Sequence, residues 1–185
     1  CIGNSNLQML EDFETELSWE GSPIWQRVDT WSFSGDYSLS CRPEEAGAYQ
    51  INSPNFTWTP NSTLTFNYKY KMPMYGEDGF FLRLVTDDFS ENIIFLGSGG
   101  ALTHDENRPE SQVYIESDWQ TFSFDLEDVL LQTPQAGSTC YLQFDFNCSE
   151  IIEDFSDYAN MPEVGVFIDD LQLEQTGFYT EENDH

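Results

Sequence analysis

The side chains of this protein that could do chemistry are overwhelmingly carboxylates. Its 185 positions hold 34 Asp and Glu against 6 Lys and Arg, a formal net charge of −28. The acids recur as pairs: Glu11-Asp12, Glu44-Glu45, Glu77-Asp78, Asp87-Asp88, Asp105-Glu106, Glu127-Asp128, Glu153-Asp154 and Asp169-Asp170. Most such pairs read as solvated surface. Asp169-Asp170 differs, because it interrupts an apolar run, with Val164-Gly165-Val166-Phe167-Ile168 before it and Leu171 after. Along a strand, one of two adjacent side chains points inward unless a bulge intervenes. An inward carboxylate needs a cation or several hydrogen-bond donors to offset its desolvation. Calcium, which takes roughly six to eight oxygen ligands, is one solution. Backbone amides at the rim of a sheet are the other.

Catalytic chemistry finds less support. Glycoside hydrolysis needs two carboxylates about 5–10 Å apart, but acids are so abundant here that candidate pairs carry no information. A lyase acting on an acidic sugar would need Arg, Lys and His, which are scarce. His104 lies beside Asp105, with Ser98 and Ser111 in the same loop, yet one loop rarely fixes the geometry of a nucleophile, base and acid. Gly97-Ser98-Gly99-Gly100 lacks the Lys and helix that follow in a phosphate-cradling loop. The chain is therefore expected to bind rather than to catalyse. Aromatic residues make up 16% of it, and sugar rings pack on exposed aromatic faces. Trp25, Trp31, Trp58 and Tyr75 are the candidate platforms, while Trp119, beside Phe122 and Phe124, reads as core. With so few cations, neither nucleic acid nor an anionic lipid surface is an expected partner.

The cysteines are Cys1, Cys41, Cys140 and Cys148, and no CxxC pair occurs. Zinc ribbons and thioredoxin-like redox sites are thereby unsupported. Cys1 reads as the lipid-bearing residue of a lipoprotein, and residues 1–6 as a short polar tether. Cys140 and Cys148 fall in one apparent strand, which would hold them ~26 Å apart, beyond disulfide reach. Cys41 is the expected partner of one of them. No apolar run approaches the roughly 18 residues of a membrane span, so contact with a membrane is expected only through Cys1.

Period-two alternation dominates, and no amphipathic helix stands out. In Thr63–Met72, residues Leu64, Phe66, Tyr68, Tyr70 and Met72 share one face, and Thr65, Asn67, Lys69 and Lys71 the other. Further strands are predicted over Leu7–Glu14, Ile24–Asp29, Tyr37–Cys41, Ala48–Ile51, Phe80–Thr86, Ile93–Leu96, Val113–Ile115, Trp119–Leu126, Thr139–Phe146 and Val164–Leu173. Leu126–Leu131 could form a helical turn. Longer loops are expected over Gly97–Ser111 and Asn147–Glu163. Short strands separated by Gly, Pro, Asn and Ser indicate an all-β fold, a two-sheet antiparallel jelly-roll β-sandwich. One domain is expected over residues 7–174, followed by a polar tail over 175–185.

The order of these signatures carries a resemblance. Glu11-Asp12-Phe13-Glu14 opens the domain, and Trp19 or Trp25 follows. Next come Phe33-Ser34-Gly35-Asp36-Tyr37-Ser38-Leu39, Ser53-Pro54-Asn55-Phe56 and Leu64-Thr65-Phe66-Asn67-Tyr68-Lys69-Tyr70. Gly79-Phe80-Phe81-Leu82-Arg83-Leu84 and Trp119-Gln120-Thr121-Phe122 precede the terminal Val166-Phe167-Ile168-Asp169-Asp170-Leu171-Gln172-Leu173. From Leu7 to Leu173 this resembles the superfamily of extracellular jelly rolls that includes MAM domains, bacterial choice-of-anchor and cleaved-adhesin modules, and carbohydrate-binding modules. The resemblance implies a non-catalytic module at the cell surface, with glycan as first ligand class, and Cys1 adds an outer-membrane lipoprotein as the expected setting. A structural or adhesive subunit acting through protein contacts is the alternative, and a glycan hydrolase or lyase a lesser one. It also implies a structural calcium held by Glu14 or Asp12, by the Ser34–Asp36 segment, and by Asp169 or Asp170.

Overall fold

The computed structural model describes residues 6–42, 47–73, 79–97, 114–116, 118–148 and 165–175, and each expected strand is found within them. The first sheet has seven strands: β1 (Asn6–Glu11), β3 (Trp25–Val28), β4 (Ser38–Cys41), β7 (Ser62–Pro73), β10 (Tyr114–Glu116), β11 (Gln120–Asp125) and β13 (Gly165–Gln175). The second has six: β2 (Glu20–Gly21), β5 (Gly47–Asn52), β6 (Phe56–Thr57), β8 (Gly79–Thr86), β9 (Ser90–Gly97) and β12 (Thr139–Cys148). Every pairing is antiparallel. The expected helical turn forms as α1 (Leu126–Val129), which buries Leu126.

Alternation decides which side chains enter the core. On β7 the inward set is Leu64, Phe66 and Tyr68; on β12 it is Cys140, Leu142, Phe144 and Phe146; on β8 it is Phe80, Leu82 and Leu84. Phe144 is the hub. Its ring lies 5.6 Å from Trp19, 6.0 Å from Trp25, 5.8 Å from Phe66 and 5.6 Å from Phe80. Trp25, on β3 of the first sheet, donates its indole N–H to the Tyr49 carbonyl on β5 of the second at 2.9 Å. One hydrogen bond thus ties the two layers where the indole would otherwise be buried unpaired.

Alternation is broken at two places, and both position acidic residues. β1 ends at Glu11 rather than continuing to Glu14, because Phe13 takes a left-handed backbone (φ 58°) that buries its ring completely. β13 carries a bulge. Asp169 pairs with Asn67 of β7 and Gln172 with Thr65, so Asp170 and Leu171 together oppose Phe66 alone. Asp170 absorbs the extra residue at φ 48°. Without the bulge, Asp170 would follow Val166 and Ile168 into the core. With it, Leu171 and Leu173 take those places, both fully buried. The carboxylates of the Asp pair therefore lie on the outer side of the first sheet. Phe167 lies there too, fully buried yet outside the main core cluster.

Candidate functional site

The residues expected to hold calcium do gather, around the β3–β4 loop. Asp169 is 0% exposed. One of its oxygens, Oδ2, accepts from the backbone N–H groups of Phe33 (2.7 Å) and Ser34 (3.1 Å), and Oδ1 accepts from the N–H of Asp170 (2.8 Å). The Ser34 hydroxyl donates to Asp170 at 2.7–2.8 Å. Glu14 Oε1 accepts from the N–H groups of Asp36 (2.9 Å) and Tyr37 (3.0 Å). Asp12 is exposed and accepts from the Glu14 N–H at 3.1 Å, and the Asp36 side chain is exposed. Gly35 has φ +63°, and a Cβ there would collide with the Glu14 carboxylate. That combination fixes glycine at the position.

Sequence reasoning missed Arg27, the cation that completes this clamp. Its Nε and Nη2 donate to the carbonyls of Phe13 and Glu14, each at 2.5 Å, and its guanidinium lies 3.4 Å from the centroid of the Tyr37 ring. Burial is the main influence on Asp169 and raises its pKa to about 6, although its three backbone N–H donors pull the other way.

A calcium ion needs several oxygens turned toward one point. Among the described residues no group of three or more His, Cys, Asp or Glu side chains converges in that way. The carboxylates of Glu14 and Asp169 accept from backbone N–H donors of the loop and of Asp170. As it stands, the arrangement is a loop fastened by its own amides.

The candidate platforms divide. Trp25 is 3% exposed and Trp58 2%, so both are core residues with no face to offer, contrary to expectation. Trp58 is enclosed by the backbone of the Gln135–Ser138 turn, donating to Ser138 and accepting from Gly137. Trp31 is exposed at 40%, with the Lys69 ammonium 4.1 Å from its ring centroid. Its neighbour Phe33, not anticipated, is 50% exposed and meets Trp119 edge-on at 5.8 Å. Tyr75, Cys1 and His104 lie outside the described residues. Cys140 is a buried thiol, 3.7 Å from the Ser138 carbonyl, so no Cys41–Cys140 bridge forms. Burial is the first cause that raises its pKa. The side chain of Cys148 lies outside the described residues.

The outer face of the second sheet carries a different constellation. Outward positions of β5, β12 and β8 align in rows, with Gln50, Asp145 and Phe81 in one and Asn52, Gln143 and Arg83 in the next. Arg83 Nη1 donates to Asp145 Oδ2 at 2.6 Å and lies 3.5 Å from Gln143 Oε1. Gln50 donates to the same Asp145 oxygen at 3.2 Å, and Gln143 donates to Asn52 at 3.0 Å. The guanidinium carbon lies 4.7 Å from the Phe81 ring centroid. Asp145 is only 5% exposed, and its second oxygen, Oδ1, is buried with no hydrogen-bond partner among the described residues. The alternation of Gln143 and Asp145 with core residues is legible in the sequence, but the register that sets them beside Arg83 is not.

No family model and no curated protein matches this sequence. Solved structures do. The K1 cleaved adhesin domain of Lys-gingipain from Porphyromonas gingivalis W83 is 13% identical, with a TM-score of 0.56 over 95% of this chain and 100% of that one. The CBM22-1–GH10 modules of Clostridium thermocellum endo-1,4-β-D-xylanase 10B, solved with xylohexaose, are 10% identical. Their TM-score is 0.52 over 93% of this chain and 29% of theirs. A xylan-binding domain from CBM 22 matches at 10% identity and a TM-score of 0.49, over 92% of this chain and 96% of its own. Among the described residues no helix is long and apolar enough to cross a membrane. At these identities the likeness establishes the fold: an antiparallel two-sheet β-sandwich of the kind found in carbohydrate-binding and adhesin modules.

Proposed function

We propose that this protein is a non-catalytic module that binds a sugar chain, and that the binding surface is the outer face of the second sheet. The observation that carries this reading is Asp145 Oδ1, a buried acceptor without a partner among the described residues. A buried polar atom left unpaired costs about 1–3 kcal/mol, and a ligand that supplies the missing donor recovers it. Around that atom stand amides that both donate and accept, a guanidinium and an aromatic ring. Glycan sites combine the same elements, polar groups for hydroxyls and an apolar surface for the ring.

Isothermal titration against a panel of oligosaccharides tests the proposal. Gln143→Ala and Gln50→Ala should each weaken the best-bound sugar by about 3- to 10-fold, equivalent to the net loss of one hydrogen bond. Trp31→Ala, on the other sheet, should leave it unchanged. If affinity instead followed Trp31 and ignored Gln143, the exposed aromatics of the β3–β4 loop would be the contact surface. The glycan reading would then move to that loop, whereas binding of no sugar in the panel would put the adhesive reading in its place.

A further inference from the structure

The same face, if it is a glycan site, has a built-in preference for charge. We infer that Asp145 makes it selective for uncharged, hydroxyl-bearing chains and excludes chains of uronic acids. This deepens the glycan reading and rests on it.

Three observations combine. First, Asp145 Oδ1 can be satisfied only by a donor. A sugar hydroxyl donates and accepts, whereas an ionised carboxylate or sulfate can only accept. An anionic group placed there would leave the buried oxygen unpaired and add a second negative charge beside it. Second, Arg83, the one cation in these rows suited to clamp a uronate, is already engaged. It sits 2.6 Å from Asp145, and that carboxylate is itself nearly buried. A compensated guanidinium gives an incoming anion little to gain, since binding would require it to leave a charged hydrogen bond. Third, the other polar groups in the two rows, Gln50, Asn52 and Gln143, are all neutral amides. They match hydroxyls in both roles and add no charge of their own. The overall charge of −28 opposes polyanions further, but salt screens that long-range effect and leaves the local one.

Asp145 is thereby the specificity determinant, and its removal should reverse the preference. Loss of the carboxylate takes away the acceptor and at the same time removes the negative charge that repels an anion beside Arg83. The test is titration calorimetry at about 0.15 M salt with xylohexaose and β-1,4-galactotriose as neutral probes and oligogalacturonate as the acidic one. The native chain should bind a neutral probe at least tenfold more tightly than the uronate. Asp145→Ala should weaken the neutral probe about tenfold and strengthen the uronate. If the alanine variant does not fold, Asp145→Asn keeps the volume and removes the charge, and should again gain uronate affinity. Native binding of oligogalacturonate as tight as that of the neutral probes would overturn the selectivity while leaving a glycan site in place. So would an Asp145 variant whose uronate affinity does not rise. Binding of none of the three probes by the native chain would remove the glycan reading, and the selectivity with it.

Discussion

Asp169 shows how much a single buried carboxylate can shape behaviour in solution. Its pKa is raised to about 6 in the folded protein from an ordinary value of 3.8, chiefly by desolvation. The folded state therefore holds this proton more tightly than the unfolded chain. Stability from this group is fully present below about pH 4 and is lost as pH rises through 6. A shift of that size corresponds to about 3 kcal/mol. Asp169→Asn should flatten the decline in stability between pH 4.5 and 7 relative to the native chain, read by urea unfolding at each pH. Identical slopes in the two proteins would show that the backbone donors fully offset burial. The two carboxylates that matter most, Asp169 and Asp145, thus differ in kind. One is surrounded by donors from a loop, and the other keeps one oxygen bare.

At the level of elements, the β3–β4 loop is fastened at its middle and at its β4 end by carboxylates reaching from other parts of the chain, Asp169 in β13 and Glu14 after β1. Because the fastening uses amides, calcium and EGTA at fixed ionic strength should leave the melting temperature unchanged. A rise of several degrees with calcium, abolished by Glu14→Ala, would instead assign an ion to this loop. The sequence made the strands readable because each has a buried face and period-two alternation is strong in a sandwich. It also marked Asp169-Asp170 as anomalous, and named amide pairing as one of two ways to accommodate it. It could not say which Trp would be buried. Trp25 and Trp58 lie in polar local surroundings, and their burial comes from contacts with Phe80, Phe144 and Ser138, distant in the chain. The polar rows of the second sheet were hidden for a related reason. Gln50, Arg83 and Asp145 are far apart in sequence, and only register brings them together.

For the molecule as a whole, charge is the dominant feature. Self-repulsion at −28 should make stability rise with monovalent salt, since screening shortens the range of repulsion from about 30 Å at 0.01 M to about 10 Å at 0.1 M. An increase in melting temperature of about 5 °C between 10 and 500 mM NaCl is expected. A flat profile would mean that local pairing already compensates the acids. Strand order adds a constraint of another kind. β13 lies between β7 on one side and β4 and β1 on the other, so the strand made last occupies the middle of the first sheet. Until the ribosome has passed residue 175, β4 and β7 have no common partner, and their edges are open to other chains. The first sheet therefore cannot be completed progressively from the amino end of the chain. β4 and β7 must stay apart until β13 has been made, and whatever carries the nascent chain must shield those two edges during that time.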